Sequence, residues 1–195
     1  MIDQNILTIN TRSLKLTDDE FFNFCQDNEL LRIERDADQN IIIMSPTGSK
    51  SGRSNFHISR LVANWLETQN LEGFDSSTGF TLPNGAVRSP DVAVIRKEKW
   101  DRLTNQEQEK FAPICPDFVI ELVSPSDDLN YLHQKMKEYL ANGTELGWLI
   151  DPQDQKVWIY DHQKPDPEVL DGLDRVLTGK YVMEGFELDL GKVFE

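Results

Sequence analysis

Apolar residues recur along this chain in two rhythms. Between Ser49 and Thr68, Ile58, Leu61, Val62 and Trp65 stand at i, i+3, i+4 and i+7, one face of a helix that should pack on a sheet. Leu129, Leu132, Met136 and Tyr139 mark a second stripe, opened by the helix-starting Ser124-Pro125-Ser126-Asp127 and closed near Asn142-Gly143. Thr17-Asp18-Asp19-Glu20 has the spacing of a capping box and predicts a short helix through Phe21, Phe22 and Phe24. Elsewhere the pattern is that of strands. Leu31 to Glu34 and Ile41 to Met44 predict a hairpin around Asp36 to Asn40, and Phe74 to Leu82 with Val87 to Ile95 predict a second around Pro83-Asn84-Gly85. Asp117 to Val123, Glu145 to Ile150 and Lys156 to Tyr160 follow as strands, with one or two short ones expected between Tyr181 and Leu190 in an otherwise irregular, acidic tail. Lys97 to Phe111 is polar and helical in character, an excursion ended by Pro113 and Pro116. No repeat, low-complexity tract or Gly/Ser linker breaks this order. The expected architecture is an α/β domain with a mixed sheet, a single unit over residues 1–195.

Two of the apolar runs contain acids that packing does not explain. Asp91 precedes Val92-Ala93-Val94-Ile95, and Glu121 lies within Phe118-Val119-Ile120-Glu121-Leu122-Val123. Burying an unpaired ion costs several kcal/mol, so carboxylates in interior strands face a metal, a basic partner or a wet cleft. Strand alternation puts Asp117, Val119, Glu121 and Val123 on one face. On the following helix Lys135 and Lys137 flank the apolar stripe on opposite sides, and periodicity does not choose between them. Two acids and a lysine suggest a metal-dependent hydrolytic site.

Composition narrows the classes. With 195 residues, 22.5 kDa and 38% hydrophobic content, the chain can bury one sizeable core. No apolar run approaches the roughly 18–20 residues needed to span a bilayer, and Met1 to Asn10 lacks the pattern of a secretion signal, so a soluble cytoplasmic protein without a membrane is expected. Cys25 and Cys115 have no Cys-x-x-Cys spacing, which argues against a disulfide framework or a cysteine zinc site and predicts two buried reduced thiols. The net charge of −14 opposes global affinity for nucleic acid. The charge is uneven, however: Ile41 to Leu66 holds no acid but carries Lys50, Arg53, His57 and Arg60, either a local basic patch or an ordinary solvated helix face.

A set of motifs then carries a resemblance. Arg32-Ile33-Glu34, Met44-Ser45-Pro46-Thr47-Gly48, Thr78-Gly79-Phe80-Thr81-Leu82-Pro83-Asn84-Gly85, Arg88-Ser89-Pro90-Asp91, Pro116 to Asp127, Lys135-Met136-Lys137-Glu138-Tyr139 and Gly147-Trp148-Leu149-Ile150-Asp151-Pro152 occur in an order that resembles the Uma-two family of bacterial restriction-endonuclease-like proteins. The likeness runs from about Leu31 to Gly185-Phe186 and Phe194. It implies the restriction-endonuclease-like fold, a mixed β-sheet flanked by helices, with extra N-terminal and C-terminal β elements. It also implies a divergent PD-(D/E)xK nuclease site. Asp91 matches the first acid and Glu121 the second. Val123 occupies the place of the usual lysine, and the matching lysine is Lys135 on the helix. Glu34 matches an acid of the early hairpin that completes a metal shell or positions Lys135. Asp117 is expected to be structural, capping or solvated at its strand mouth, and His57 to be structural.

The implied chemistry is phosphodiester hydrolysis in double-stranded DNA. Asp91 and Glu121 would bind Mg²⁺, or Mn²⁺ as a substitute, with help from the Leu122 carbonyl, since these hard cations prefer oxygen ligands. Lys135 would orient the water and offset developing charge. Two strands to cut favour a homodimer. Two other classes stay open: a catalytically inactive DNA- or protein-binding module of the same fold, and a metal-dependent hydrolase of a smaller phosphoester, which suits the acidic composition. A buried charge network without catalysis would gather the same residues. The endonuclease reading requires Glu34, Asp91, Glu121 and Lys135 to meet at one cleft.

Overall fold

The strand β1 (Ile6–Asn10) opens the described part of the chain, after which Thr17 caps helix α1 (Asp18–Asp27) with the reciprocal Glu20 bonds its spacing predicts. The computed structural model describes residues 6–195; residues 1–5, which begin the Met1 to Asn10 stretch, lie outside the described residues. Next come β2 (Arg32–Arg35) and β3 (Asn40–Met44), paired antiparallel as the early hairpin, and helix α2 (Ser49–Leu66). Ile58, Val62 and Leu66 anchor α2 in the core, each worth about 1.5–3 kcal/mol when buried.

The second hairpin differs from its prediction. It divides into β4 (Leu71–Asp75), β5 (Phe80–Thr81), β6 (Val87–Arg88) and β7 (Val92–Arg96), with β5 pairing β6 while β4 pairs β7. These pairs belong to different sheets: one of order β1-β3-β2-β6-β5, the other ending in β7-β4. The chain crosses between sheets at Ser89-Pro90-Asp91. Pro90 has no N–H to give a ladder, which suits that break. The excursion after β7 forms two one-turn helices, α3 (Lys97–Trp100) and α4 (Asn105–Gln108).

The central sheet is completed by β8 (Phe118–Leu122), helix α5 (Leu129–Asn142), β9 (Leu146–Asp151), β10 (Lys156–Asp161) and β11 (Glu168–Asp171), in the order β11-β10-β9-β8-β7-β4. Only the β8–β9 pair is parallel, joined through α5, so the sheet is mixed. One face packs on α2 through Val94, Phe118, Ile120 and Trp148; the other packs beneath α5 through Ala93, Ile95, Val119 and Leu149. Gly147 permits close packing there, since a Cβ would lie 2.5 Å from Met136 Cε and 3.1 Å from Val119 Cγ2. The tail is more regular than its composition suggests: besides β11 it forms β12 (Val176–Thr178), paired with β13 (Glu187–Asp189), then α6 (Leu190–Phe194). The result is an α/β fold with a central mixed sheet flanked by helices and extra β elements at both ends. Cys115 is buried as expected, but Cys25 is only half-buried.

Candidate active site

The junction of the two sheets gathers the four sequence-predicted residues. Val92 pairs with Ile120 and Ala93 with Val119, and that antiparallel register carried one step further sets Asp91 opposite Glu121. Directly opposed residues have Cβ atoms roughly 4.5–5.5 Å apart, within reach of one shared ion. Both point to the α5 side, by the alternation that places Ala93, Ile95 and Val119 beneath that helix. Without a cation, like charges so placed repel.

Lys135 supplies one. Its side chain descends from α5, beside buried Leu132, Met136 and Tyr139, and is 5% exposed. The ammonium Nζ donates to Glu121 Oε1 at 2.8 Å and Glu34 Oε1 at 2.9 Å. Lys137 is exposed, so the fold makes the choice that periodicity left open. Glu34, on β2 and 0% exposed, is fully engaged: Oε1 also accepts the Ser89 amide at 2.9 Å, and Oε2 accepts Arg88 Nη1 at 3.1 Å. Arg88 is fixed in turn by Glu138 Oε2 at 2.6 Å and the Tyr131 hydroxyl at 3.0 Å.

Asp91 and Glu121 are held differently. Asp91 Oδ2 accepts the Leu122 amide at 2.9 Å and Oδ1 accepts Asn55 Nδ2 at 2.8 Å. Glu121 Oε1 accepts the Tyr139 hydroxyl at 3.1 Å as well as Lys135, leaving Oε2 without a protein hydrogen bond among the described residues. Burial pushes the Asp91 carboxyl above its ordinary range despite those two bonds. Burial pushes Glu121 up to about 7, with the Asp91 and Glu34 charges adding to it and Lys135 opposing. Glu34 goes the other way, because Lys135, Arg88 and the Ser89 amide outweigh its burial. Burial opposes the Lys135 charge, but Glu121 and Glu34 overcome it and raise its pKa, so it remains an ammonium.

Asp91, Glu121 and Lys135 line one cleft together with Arg32, Ser51 and Asn55. Its volume of about 70 Å³ exceeds the roughly 10–15 Å³ one water needs. Among the described residues no three His, Cys, Asp or Glu side chains form a ready-made metal cage. With Glu34 consumed by its cations, two carboxylates remain, and Mg²⁺ is commonly held by one or two carboxylates with waters and substrate phosphates completing its shell. The hard oxygen set of Asp91 and Glu121 therefore fits Mg²⁺ or Mn²⁺.

A family model described as "Putative restriction endonuclease", Uma2, matches residues 18–191. The chain belongs to the Uma2 family. A crystal structure of a putative nuclease belonging to DUF820, from Anabaena variabilis ATCC 29413, is 23% identical to this Uma2 chain. The likeness covers 92% of this chain and 97% of that one at a TM-score of 0.71. At that identity the likeness shows a common fold. No curated protein matches the Uma2 chain.

Asp117 lies apart from the cleft, where it accepts the Arg96 amide at 2.8 Å, Arg96 Nη1 at 2.9 Å and Lys99 Nζ at 3.3 Å. His57 does not line the cleft. Sequence reasoning missed Asn55 and gave Arg88 no role. Asn55 follows Ser51 by one helical turn, a polar pair flanking the α2 stripe, whereas nothing local to Arg88 reveals that it meets Glu34.

Proposed function

We propose that this Uma2 protein is a Mg²⁺-dependent nuclease that hydrolyses phosphodiester bonds of double-stranded DNA, acting as a homodimer of single-domain chains in the cytoplasm. One observation carries the reading: Lys135 is buried between two carboxylates at a cleft that also presents Asp91. Asp91 and Glu121 would hold the ion, with the Leu122 carbonyl beside them. When bound, the ion polarises the phosphoryl oxygen and lowers the pKa of the attacking water. Lys135, an ammonium at all working pH, cannot act as a base. It donates hydrogen bonds and offsets negative charge as the phosphorus gains an oxygen, preorganised by Glu34. Arg88 keeps Glu34 ionised and so keeps Lys135 in place.

Support for DNA comes from the family description and from α2, whose own sequence holds no acid and carries exposed Lys50, Arg53 and Arg60 on the same helix as the cleft-lining Ser51 and Asn55. The net charge of −14 favours a smaller phosphoester as the second reading. No helix among the described residues is long and apolar enough to cross a membrane.

Supercoiled plasmid incubated with Mg²⁺ or Mn²⁺ tests the proposal. Wild type should nick or linearise it, and Glu121→Gln, which keeps shape but removes the ligand charge, should lower the rate at least about 10³-fold at ordinary Mg²⁺, with partial rescue by Mn²⁺. DNA binding without cleavage would favour the inactive module. Hydrolysis of a small phosphodiester without DNA cleavage would favour the second reading.

A further inference from the structure

Among the described residues, two buried side-chain polar atoms lack a hydrogen-bond partner, Trp148 Nε1 and Asn55 Oδ1. Their settings differ. Trp148 lies in the apolar core against Phe118 and Phe186. Asn55 lines the cleft that holds Asp91 and Glu121.

The orientation of the Asn55 amide is fixed by its neighbour. Nδ2 donates to Asp91 Oδ1 at 2.8 Å, and the reversed amide would set two oxygens against each other. The backbone beneath it is equally constrained, because Ile58, Val62 and Leu66 hold α2 against the sheet. Oδ1 is thus a preorganised, buried acceptor next to the Asp91 carboxylate, in the lining of the cleft that Glu121 shares. Folded proteins rarely retain a buried carbonyl without a donor unless it has another use.

We propose that Asn55 both positions Asp91 through Nδ2 and contributes Oδ1 as a third protein oxygen to the divalent ion; this rests on the metal-dependent reading above. An amide carbonyl is a hard ligand of the kind Mg²⁺ and Mn²⁺ accept. Being neutral, it completes the donor set without adding to the repulsion between Asp91 and Glu121. A carboxylate at this position would deepen the negative charge that Lys135 already counters, whereas an amide supplies an acceptor and a donor at once.

Calorimetric titration of the full chain with Mn²⁺ at pH 8 tests this, with circular dichroism confirming that each variant is folded. Asn55→Leu keeps the shape and removes both polar atoms, and Asn55→Ala guards against a steric failure of the first. Each should weaken Mn²⁺ binding about 10- to 100-fold. Asn55→Asp retains an oxygen and loses the donor, and should bind within a few-fold of wild type. Wild type without Mn²⁺ affinity overturns the metal-dependent reading and this inference together. Wild-type binding matched within twofold by Asn55→Leu and Asn55→Ala overturns only the role of Asn55. If Asn55→Asp is as weak as Asn55→Leu, Asn55 merely orients Asp91 and the assignment of Oδ1 fails.

Discussion

Two charge clusters stand at opposite ends of β8 on the same face of the sheet, one around Asp117 and one around Glu121. At the entrance, Asp117 and Glu145 face Arg96 and Lys99, as many cations as anions, and Arg96 grips Glu145 at 2.5 Å through Nη1. Water reaches this cluster: Arg96 is 31% exposed and Glu145 29%. The Arg96 hydrogen bonds hold Glu145 below its ordinary range, and those same bonds raise Arg96. Glu145 and Arg96 therefore both favour their charged forms. At the far end, Glu34, Asp91 and Glu121 face Lys135 and Arg88 in a dry setting, and Asp91 and Glu121 are raised rather than lowered. The first cluster is neutral and satisfied; the second keeps a surplus of negative charge beside a cleft. Acid–base pairing alone therefore does not tell the two clusters apart, whereas an uncompensated remainder does.

The largest effect should come from removing the cation that divides the second cluster. Lys135→Ala leaves Glu34 and Glu121 facing each other without their shared partner, and loss of one member of a buried pair costs about 3–5 kcal/mol. Urea unfolding should show that loss, and plasmid cleavage by the folded fraction should fall about 10²–10³-fold. A variant as stable and as active as wild type would erase the contrast between the clusters.

Protons offer a second route. Glu121 rises from its ordinary 4.5 to about 7, so the stability it contributes is full below about 4.5 and is lost as pH climbs through about 7. Glu34, shifted down, contributes in the opposite sense, gaining above its unfolded pKa and losing as pH falls through its folded one. An ion at Asp91 and Glu121 must displace the Glu121 proton. Mn²⁺ should accordingly bind about tenfold more tightly at pH 8 than at pH 6, as measured by calorimetry, and raise the melting temperature more at the higher pH. Affinity that is flat across this range would show that Glu121 is already ionised without metal.

The entrance cluster should behave in reverse. Asp117→Ala removes the acceptor of the Arg96 amide, the Arg96 guanidinium and the Lys99 ammonium, and should cost about 2–3 kcal/mol in urea unfolding. Cleavage at saturating Mg²⁺ should stay within about twofold of wild type. A large rate defect in a stable Asp117→Ala protein would make the two clusters one functional unit.

Much of this contrast is legible in the sequence. Alternation placed Asp117 and Glu121 on one face, the capping box at Thr17 and the stop at Gly143 formed as read, and family motifs singled out Glu34, Asp91, Glu121 and Lys135. These signals are local or preserved as short motifs. The hidden features are long-range: the second hairpin divides between two sheets because Pro90 breaks the ladder, and Glu34 meets Arg88 only because β2 and β6 become neighbours. Asn55 was obscured for a related reason, as an amide on a helix flank resembles any solvated side chain until a carboxylate from another element is set against it. The β11 and β12 strands are hidden in the sequence because they are only four and three residues long and expose Val169 and Val176, so apolar and polar positions do not alternate cleanly.

The smallest effect should belong to Lys137, where sequence and structure divide most simply. Both lysines flank the apolar stripe of α5, on opposite sides, and both carry the same charge. The descent of α5 onto β8 and β9 buries Lys135 between Glu34 and Glu121 and leaves Lys137 in water. An exposed lysine screened by solvent contributes little to either stability or local potential. Lys137→Ala should therefore change stability by less than about 0.5 kcal/mol and the cleavage rate by less than about twofold, measured side by side with Lys135→Ala. Equal damage from the two substitutions would mean that the catalytic field extends to the outer flank of α5, and that burial of Lys135 is not what gives this end of the sheet its chemistry.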